Sequence, residues 1–223
     1  MDFDRMITLD FETTGLKPGF QPLEIAWIEF DENLNAVGEV SSLLNTKVAI
    51  EPGAQRAHGI TTKMLEGKPN LQEFLQSQHP TKFRDEHVLV VAHNVSYDIP
   101  FFRPFCKQVT ALCTMRLGQN LYPSLENFRL KTLASHLGVE VTPNHRALTD
   151  AKTCFELLKK YGQTNNLTIT ELVKAANNFS PNATIPFGKH KGTKIVDLPS
   201  DYRNWLSENL DPDHWIVAMI KGL

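Results

Sequence analysis

Apolar residues cluster, or alternate with polar ones, in five short stretches of the chain, and each stretch predicts a β-strand. The stretches are residues 6–11, 23–30, 37–44, 88–92 and 111–114. Short turn-like connections join the first three, which predicts an antiparallel meander. A helical stretch precedes each of the last two, and their composition is typical of buried strands. The pattern therefore predicts a mixed five-stranded sheet.

Apolar residues at three- and four-residue spacing predict helices around this sheet. The predicted helices are residues 71–78, 99–106, 131–137 and 147–161. We expect Gly162 to be the C-cap of the last one. The polar run 163–166 is the expected domain boundary. A linking helix is predicted over 168–179, where Thr168 and Glu171 have capping-box spacing.

These elements predict an α/β fold, in which a mixed five-stranded sheet is flanked by helices and followed by a small C-terminal module. The expected division is a catalytic domain over residues 1–162, a linker with a helix over 163–182, and the module over 183–223. A chain of 223 residues with 41% hydrophobic content is long enough to bury a core of its own.

Charge and cysteine content restrict the classes of function. The net charge is −2, which argues against a protein that coats nucleic acid by bulk electrostatics, so any nucleic-acid contact must be local. Cys106, Cys113 and Cys154 form neither a Cys-x-x-Cys pair nor a zinc-finger pattern. The N-terminus does not resemble a secretion signal, and no apolar run approaches the roughly 20 residues that span a bilayer. We expect a cytoplasmic protein with no membrane partner.

The first candidate for chemistry is the pair Asp10 and Glu12 at the end of the first strand. Alternation along a strand puts both side chains on one face. Two adjacent carboxylates repel each other unless a cation neutralises them, and all-oxygen ligands suit Mg²⁺ or Mn²⁺. The alternative is two surface acids on either side of a core phenylalanine.

Two later segments carry further candidates at the ends of predicted strands and helices. Asp98 follows the fourth strand at the start of a helix, where Ser96 or Asp98 could instead cap that helix. His145 lies in a loop, and Asp150 comes early in the next helix. Taken alone, a loop histidine or an aspartate at a helix start usually has a structural role.

Taken together, the order Asp-x-Glu, Asp, His-x₄-Asp resembles the DEDDh exonuclease superfamily over about residues 6–161. The resemblance implies a ribonuclease H-like fold and 3′→5′ exonuclease activity. It also implies that Asp10, Glu12, Asp98 and Asp150 hold two Mg²⁺ ions, for which Mn²⁺ can substitute. His145 would be the general base. Histidine suits this role because it changes its charge near neutral pH.

Further stretches resemble the exodeoxyribonuclease X subfamily. They are 57–61 (Ala-His-Gly-Ile-Thr), 113–117 (Cys-Thr-Met-Arg-Leu), 187–192 (Phe-Gly-Lys-His-Lys-Gly) and 202–206 (Tyr-Arg-Asn-Trp-Leu). This resemblance covers nearly the whole chain. It implies an enzyme that releases nucleoside monophosphates from single-stranded or duplex DNA 3′ ends, with a role in DNA repair.

The residues beside the metal ligands are candidates for holding the terminal nucleotide. We expect the backbone and hydroxyl groups of this turn to hold the sugar and its 3′-hydroxyl, and the exposed leucine after it to stack on the last base. The residues concerned are Thr13, Thr14, Gly15 and Leu16. Leu16 could alternatively be a core residue. By resemblance, His58 and Ile60 form another wall, while Asn94 either holds substrate or caps its local turn.

The module contains a local basic turn, with Lys189, Lys191 and Lys194 around a glycine-bounded hairpin tip at 188–192. These lysines could contact DNA phosphates. The alternative is a solvated turn on a packing module, in which Trp205, Trp215, Leu206 and Ile216 only cover a small core.

Three other functions remain open from the sequence. An exoribonuclease would use the same metal centre, because only contacts near the 2′-hydroxyl distinguish RNA from DNA. The chain could also lend proofreading to a polymerase or be an inactive nucleic-acid adaptor. Five intact signature residues argue against the adaptor, and no protein partner is predicted.

Overall fold

The structure is a computed structural model that describes residues 2–16, 19–78, 82–142, 145–178, 183–185, 187–210 and 215–221. Its strands are β1 (Arg5–Thr13), β2 (Pro22–Phe30), β3 (Ala36–Leu43), β4 (His87–Ala92) and β5 (Gln108–Cys113). The sheet order is β3-β2-β1-β4-β5, with β1 antiparallel to β2 and parallel to β4. The predicted mixed five-stranded sheet is therefore confirmed.

Helices cover both faces of this sheet and continue into the C-terminal module. They are α1 (Pro52–His58), α2 (Leu71–Gln78), α3 (Lys82–Asp85), α4 (Ile99–Phe102), α5 (Thr114–Leu121), α6 (Leu130–His136), α7 (Ala147–Asn165), α8 (Ile169–Asn177), α9 (Ser200–Asn209) and α10 (Trp215–Lys221). The sequence pattern predicted none of α1, α3, α5, α9 and α10. Thr114 was expected to end a strand, but it begins α5, and the helix predicted over 99–106 becomes α4 plus a 3₁₀ turn at Arg103–Phe105.

The prediction that Gly162 ends the long helix is wrong. α7 continues to Asn165 and ends at Asn166, which has a φ of 52° and whose backbone N–H bonds to the carbonyl of Gly162. Gly162 is buried, and an added Cβ would lie 3.2 Å from the Leu167 carbonyl oxygen. The glycine therefore allows close packing, and the polar run 163–166 completes the helix instead of breaking it.

The alternation of β1 separates an apolar face from a polar one. The apolar face packs against α2 and α4 through Ile7, Leu9 and Phe11. Thr8 points the other way, and its Oγ1 donates to the Ala151 carbonyl of α7 at 3.1 Å. Asp10 and Glu12 share the face of Thr8, so the strand directs both carboxylates toward the start of α7.

α8 packs onto the catalytic domain. Its Leu172 and Val173 are buried in one core with apolar residues of α7 and with Leu89 and Val91 of β4. The predicted capping box is present, because Thr168 accepts from the backbone N–H of Glu171 while the Glu171 carboxylate accepts from that of Thr168. Phe179, the expected end of this helix, lies outside the described residues.

The C-terminal module has a small core of its own, formed by Ile185, Ile195, Leu198, Leu206, Ile216 and Met219. Thr184 and Lys194 pair as an antiparallel bridge below the glycine-bounded turn, as a hairpin requires. Trp205 is 49% exposed and so is not a core residue, whereas the side chain of Trp215 lies outside the described part of the chain. The Met219 sulfur lies 3.9 Å from an Arg116 nitrogen, which brings α10 against α5.

Candidate active site

Three carboxylates meet between β1 and the first turn of α7. One oxygen each of Asp10, Glu12 and Asp150 lies within 4.8 Å of the others. Strand alternation places the first two, and the start of α7 brings Asp150 above them. The structure therefore brings together three of the four predicted metal ligands in one compact oxygen cluster.

Asp98 joins this cluster from the start of α4. It occupies the N-cap position, but its side chain makes no capping bond. Instead, Asp98 Oδ1 accepts from the backbone N–H of Phe11 at 3.2 Å, and Phe11 lies between Asp10 and Glu12 in β1. Ser96 does not cap the helix either, because its hydroxyl donates to Asn94 Oδ1. The side chain of Asp98 is thus committed to β1 and buried next to Asp10.

The pKa values of three acidic residues are raised because these residues lie close together and away from water. Burial, followed by the charges of Asp98 and Asp150, raises the pKa of Asp10 well above its usual value. Burial first, and then Asp150, raises the pKa of Glu12 to about 8. Burial raises the pKa of Asp98 in the same direction. Such a cluster is unfavourable when fully ionised and becomes stable when cations neutralise it.

The donor set fits hard divalent cations. It consists of carboxylate oxygens on rigid elements, with no thiolate or imidazole among the three converging groups. Oxygen-only ligands favour Mg²⁺ or Mn²⁺ over zinc, which prefers nitrogen and sulfur. These residues are therefore able to hold divalent metal.

His145 stands at the rim of the carboxylate cluster. Its Nδ1 lies 3.8 Å from Asp150 Oδ2, and its side chain is 52% exposed. The distance is too long for a hydrogen bond, so the ring remains free to approach a bound substrate. A cleft of about 730 Å³ opens here and is lined by Asp10, Asp150 and His145 on one side.

The turn after β1 forms a second wall beside Glu12. Thr13 Oγ1 and the Tyr97 hydroxyl both donate to the carbonyl of Gly15, each at 3.0 Å. An added Cβ on Gly15 would lie 2.5 Å from the side chain of Glu51, so any larger residue here would displace that carboxylate. Leu16 is 81% exposed, which excludes the alternative that it is a core residue.

Comparison with known proteins agrees with this arrangement. A family model described as "Exonuclease" matches residues 7–158. The chain belongs to this exonuclease family. The expectation of a 3′→5′ exonuclease of the DEDDh superfamily is confirmed, and members of this family use divalent metal ions.

Among curated relatives of the exonuclease, Exodeoxyribonuclease 10 of Escherichia coli K12 is 28% identical over 91% of this chain and 90% of its own length. DNA polymerase III PolC-type of Oceanobacillus iheyensis is 30% identical over 72% of this chain, which spans only 12% of that polymerase. A second family model, "Putative quorum-sensing-regulated virulence factor", matches residues 178–218.

Solved structures also resemble the exonuclease. A structure of Exonuclease X in complex with 5′ overhanging duplex DNA has a TM-score of 0.61 and 25% identity, and covers 77% of this chain and 99% of its own. A structure of exonuclease I has a TM-score of 0.60 and 21% identity over 76% of this chain and 42% of its own, which shows a shared fold.

The two predicted residues of the other pocket wall have different environments in the exonuclease. His58 is buried, its Nδ1 accepts from the backbone N–H of Ile60 at 2.9 Å, and burial lowers its pKa. Ile60 is fully buried with Leu23 and Leu65. The prediction that Ile60 contacts a nucleotide is therefore not supported, because its side chain exposes no surface and instead packs just after the end of α1, which carries His58.

The pair Glu24 and Arg146 was missed by sequence reasoning. The Glu24 carboxylate is buried on β2 and accepts from Arg146 Nε at 2.9 Å and from the backbone N–H of Ala147 at 3.0 Å. It thereby anchors the start of α7, next to His145 and Asp150. The available signal was a charged residue inside the otherwise apolar strand at 23–28, since a buried carboxylate needs a partner.

The opposite wall of the cleft was also missed. Asn94 belongs to the lining and adopts a left-handed φ of 69°, and its Oδ1 accepts from the Ser96 hydroxyl within the local turn. The segment 127–131 faces the carboxylates across the cleft and contributes Arg129 and Lys131. Its only sequence signal was two basic residues around the start of a predicted helix.

The basic residues of the module do not line this cleft. Lys189 Nζ lies 5.2 Å from the centre of the Tyr202 ring, and Tyr202 stacks on Trp205 with ring centres 5.6 Å apart. Lys191 and Lys194 are exposed on the hairpin. The structure thus presents the three lysines and an aromatic pair on the surface of the module.

Proposed function

We propose that this chain is a 3′→5′ exodeoxyribonuclease that releases nucleoside 5′-monophosphates from DNA ends during DNA repair. The observation that carries the proposal is the convergence of Asp10, Glu12 and Asp150, with Asp98 buried beside them and His145 at the rim. Four carboxylates and one histidine around an open cleft form the arrangement that metal-assisted phosphodiester hydrolysis needs.

The share of this chain that each relative matches supports DNA as the substrate and favours an exodeoxyribonuclease over a polymerase subunit. The relative named for DNA hydrolysis, Exodeoxyribonuclease 10, matches over 91% of this chain. The PolC-type relative covers 72%, and DNA polymerase III subunit epsilon of Aquifex aeolicus covers 69%. The polymerase components match a smaller part of this chain than Exodeoxyribonuclease 10 does. A proofreading subunit is therefore the second candidate.

In the proposed reaction, Asp10, Glu12, Asp98 and Asp150 hold two divalent ions, with Mg²⁺ as the natural choice and Mn²⁺ as a substitute. When bound by these residues, such ions would supply an activated water and charge stabilisation at the leaving 3′-oxygen. His145 accepts the proton of that water, for which its exposed ring beside Asp150 is suitably placed.

The terminal nucleotide lies against the turn after β1. The hydroxyls of Thr13 and Thr14 bond within the turn, so backbone groups of Thr13, Thr14 and Gly15 hold the sugar, and Glu12 shares the 3′-hydroxyl. The exposed Leu16 stacks on the last base. His58 closes this pocket from behind, and Asn94 contacts the strand in the cleft.

The remaining parts of the proposal concern the module. Residues 1–162 act as the catalytic domain, 163–182 as a linker with a helix, and 183–223 as a module that contacts DNA. Lys191 and Lys194 are exposed, and Lys189 lies over Tyr202, so the hairpin can approach phosphates outside the active site.

The proposal is tested with the full chain and end-labelled single-stranded DNA, recessed and blunt duplexes, and RNA of the same sequence. We expect stepwise loss of 3′ nucleotides from DNA in Mg²⁺ and none in excess chelator. Asp10→Ala and Asp150→Ala should abolish cleavage and leave the fold intact. Exposed Asp2→Ala is a matched control that should retain activity. Preferred digestion of RNA, or chelator-resistant cleavage, would refute the assignment.

A further inference from the structure

Two cations face the acidic cluster across the cleft without an acidic partner of their own. Arg129 and Lys131 are both exposed and line the same cleft as Asp150. Within the described part of the chain neither one forms an ion pair with a carboxylate. Cations left unpaired beside an acidic site are available to a polyanionic ligand.

Arg129 is the N-cap of α6 and Lys131 lies in its first turn, and neighbouring residues hold this segment in place. Asn127 Oδ1 accepts from the backbone N–H of Arg129 at 3.2 Å and from Thr132 Oγ1 at 2.7 Å. His93 hydrogen-bonds to Thr114 Oγ1 at 3.0 Å and also to the backbone of Phe128. The segment is therefore ordered before substrate arrives, and its cations project from a fixed backbone.

The direction of β1 determines which part of a substrate reaches this loop. Asp10 lines the cleft, whereas Glu12 and the turn that follows it lie outside the lining. A scissile phosphate at the carboxylates thus has the turn at 13–16 on one side and the cleft on the other. If the turn holds the terminal nucleotide, the rest of the strand enters the cleft.

We propose that Arg129 and Lys131 form a subsite for the phosphate on the 5′ side of the penultimate nucleotide. This inference rests on the proposed function and adds the path of the cleaved strand. The chemistry is an ionic contact between a guanidinium, an ammonium and one or two phosphodiester groups. The apolar surface of Phe128 and Met115 in the same cleft borders the penultimate nucleoside.

The test compares substrates that differ only in this phosphate. The wild-type chain and Arg129→Ala/Lys131→Ala are assayed on the dinucleotide TpT, on 5′-phosphorylated pTpT and on a pentathymidylate. Arg84→Ala/Lys174→Ala removes the same two residue types from exposed positions outside the cleft and is the matched control. Arg129→Lys/Lys131→Arg preserves both charges and should retain most of the difference in KM between pTpT and TpT.

We expect the wild type to have a KM roughly tenfold lower for pTpT and the pentamer than for TpT, and the double alanine variant to lose this gain. Its KM for TpT, which lacks this phosphate, should match that of the wild type. The dependence of pentamer affinity on salt should weaken by about 0.7 in log–log slope for each phosphate that is no longer neutralised.

Each other result is equally decisive. An unchanged preference for the phosphorylated substrates in the double alanine variant would overturn the subsite, as would a wild type that shows no preference. Equal loss on TpT and pTpT would assign the two residues to the chemistry or the fold. A wild-type chain that cleaves none of the three substrates would instead refute the proposed exonuclease reaction on DNA.

Discussion

Their surroundings distinguish Asp10, which is partly buried, and Asp98, which is buried, from ordinary surface acids. Asp98 gives one oxygen to the backbone of Phe11, and both residues lie beside further carboxylates that raise their pKa. A stable fold rarely retains such an arrangement without a compensating cation. At the scale of single residues, the clearest sign of function is therefore an acid held in an environment that disfavours its charge.

His145 provides the first prediction at this scale. Because its ring is half-exposed and makes no hydrogen bond to Asp150, replacing it should disturb neither the fold nor the carboxylate cluster. We expect His145→Ala to lower turnover by roughly 10²–10⁴ with little change in DNA affinity. Single-turnover kinetics and a separate binding assay measure the two quantities. A variant defective only in binding would exclude the role as base.

Arg146 provides the second prediction. It compensates the buried Glu24, so Arg146→Ala leaves that carboxylate with only the Ala147 backbone donor. We expect the free energy of unfolding to fall by about 1–3 kcal/mol, measured by urea denaturation. Arg129→Ala, an exposed arginine with no ion pair among the described residues, is the control and should change stability little. The double variant Arg146→Ala/Glu24→Gln should lose less free energy of unfolding than the two single variants lose together. A loss equal to their sum would show that Arg146 and Glu24 are not coupled.

At the scale of elements, the first turn of α7 organises the site. It carries Asp150, follows His145 directly, and is tied to β2 by Glu24 and to β1 by the bond from Thr8 to Ala151. One helix start therefore positions both a predicted metal ligand and the predicted base. The loop at 127–131 and the turn at 13–16 then complete the two sides.

The hairpin of the module provides the third prediction. If it holds duplex phosphates, replacing Lys189, Lys191 and Lys194 together with Ala should weaken duplex binding and flatten its salt dependence by about 0.9 in log–log slope for each phosphate that is no longer neutralised. Turnover of a saturating short oligonucleotide should stay near normal. A control variant with alanine at Lys107, Lys159 and Lys174 should behave as wild type. Unchanged duplex affinity would leave the module as a packing unit.

At the scale of the whole molecule, the acidic cluster links stability to pH and metal. The pKa of Glu12 rises from 4.5 to about 8 on folding, mainly through burial. The folded state therefore binds this proton more tightly than the unfolded state, and metal-free stability should fall as pH rises from about 4.5 to about 8. Metal at 100 times its Kd should restore about 2.7 kcal/mol.

The fourth prediction follows from this linkage. We expect Mn²⁺ to raise Tm more at pH 8 than at pH 5.5, as measured by thermal melts in buffer with chelator or metal. Glu12→Gln should melt higher than wild type in chelator at pH 8, because it removes one repelling charge. Glu32→Gln, at an exposed carboxylate in another part of the chain, should not. An equal metal effect at both pH values would contradict the linkage.

No helix among the described residues is long and apolar enough to cross a membrane.

The module packs α10 near α5, whose Gln119 and Met115 line the cleft on another face. The whole molecule therefore places the module's core behind one wall of the active site.

Local patterns in the sequence were enough to predict features that depend on neighbouring residues. Strand alternation predicted that Asp10 and Glu12 share a face, and helical capping predicted the box at Thr168 and Glu171. These predictions succeed because the geometry of a strand or a helix end is set within a few residues. The resemblance of ordered motifs added the family.

Tertiary structure alone decided the features that depend on distant partners. Glu24 meets Arg146 across 122 positions, and Asp98 bonds to Phe11 across 87. Burial turned Ile60 from an expected contact into a core residue, and close packing at Gly162 allowed the helix to continue. A sequence lists the charges and volumes, but the energy of a buried charge or a filled space depends on which remote atoms surround it, and only the fold brings those atoms together.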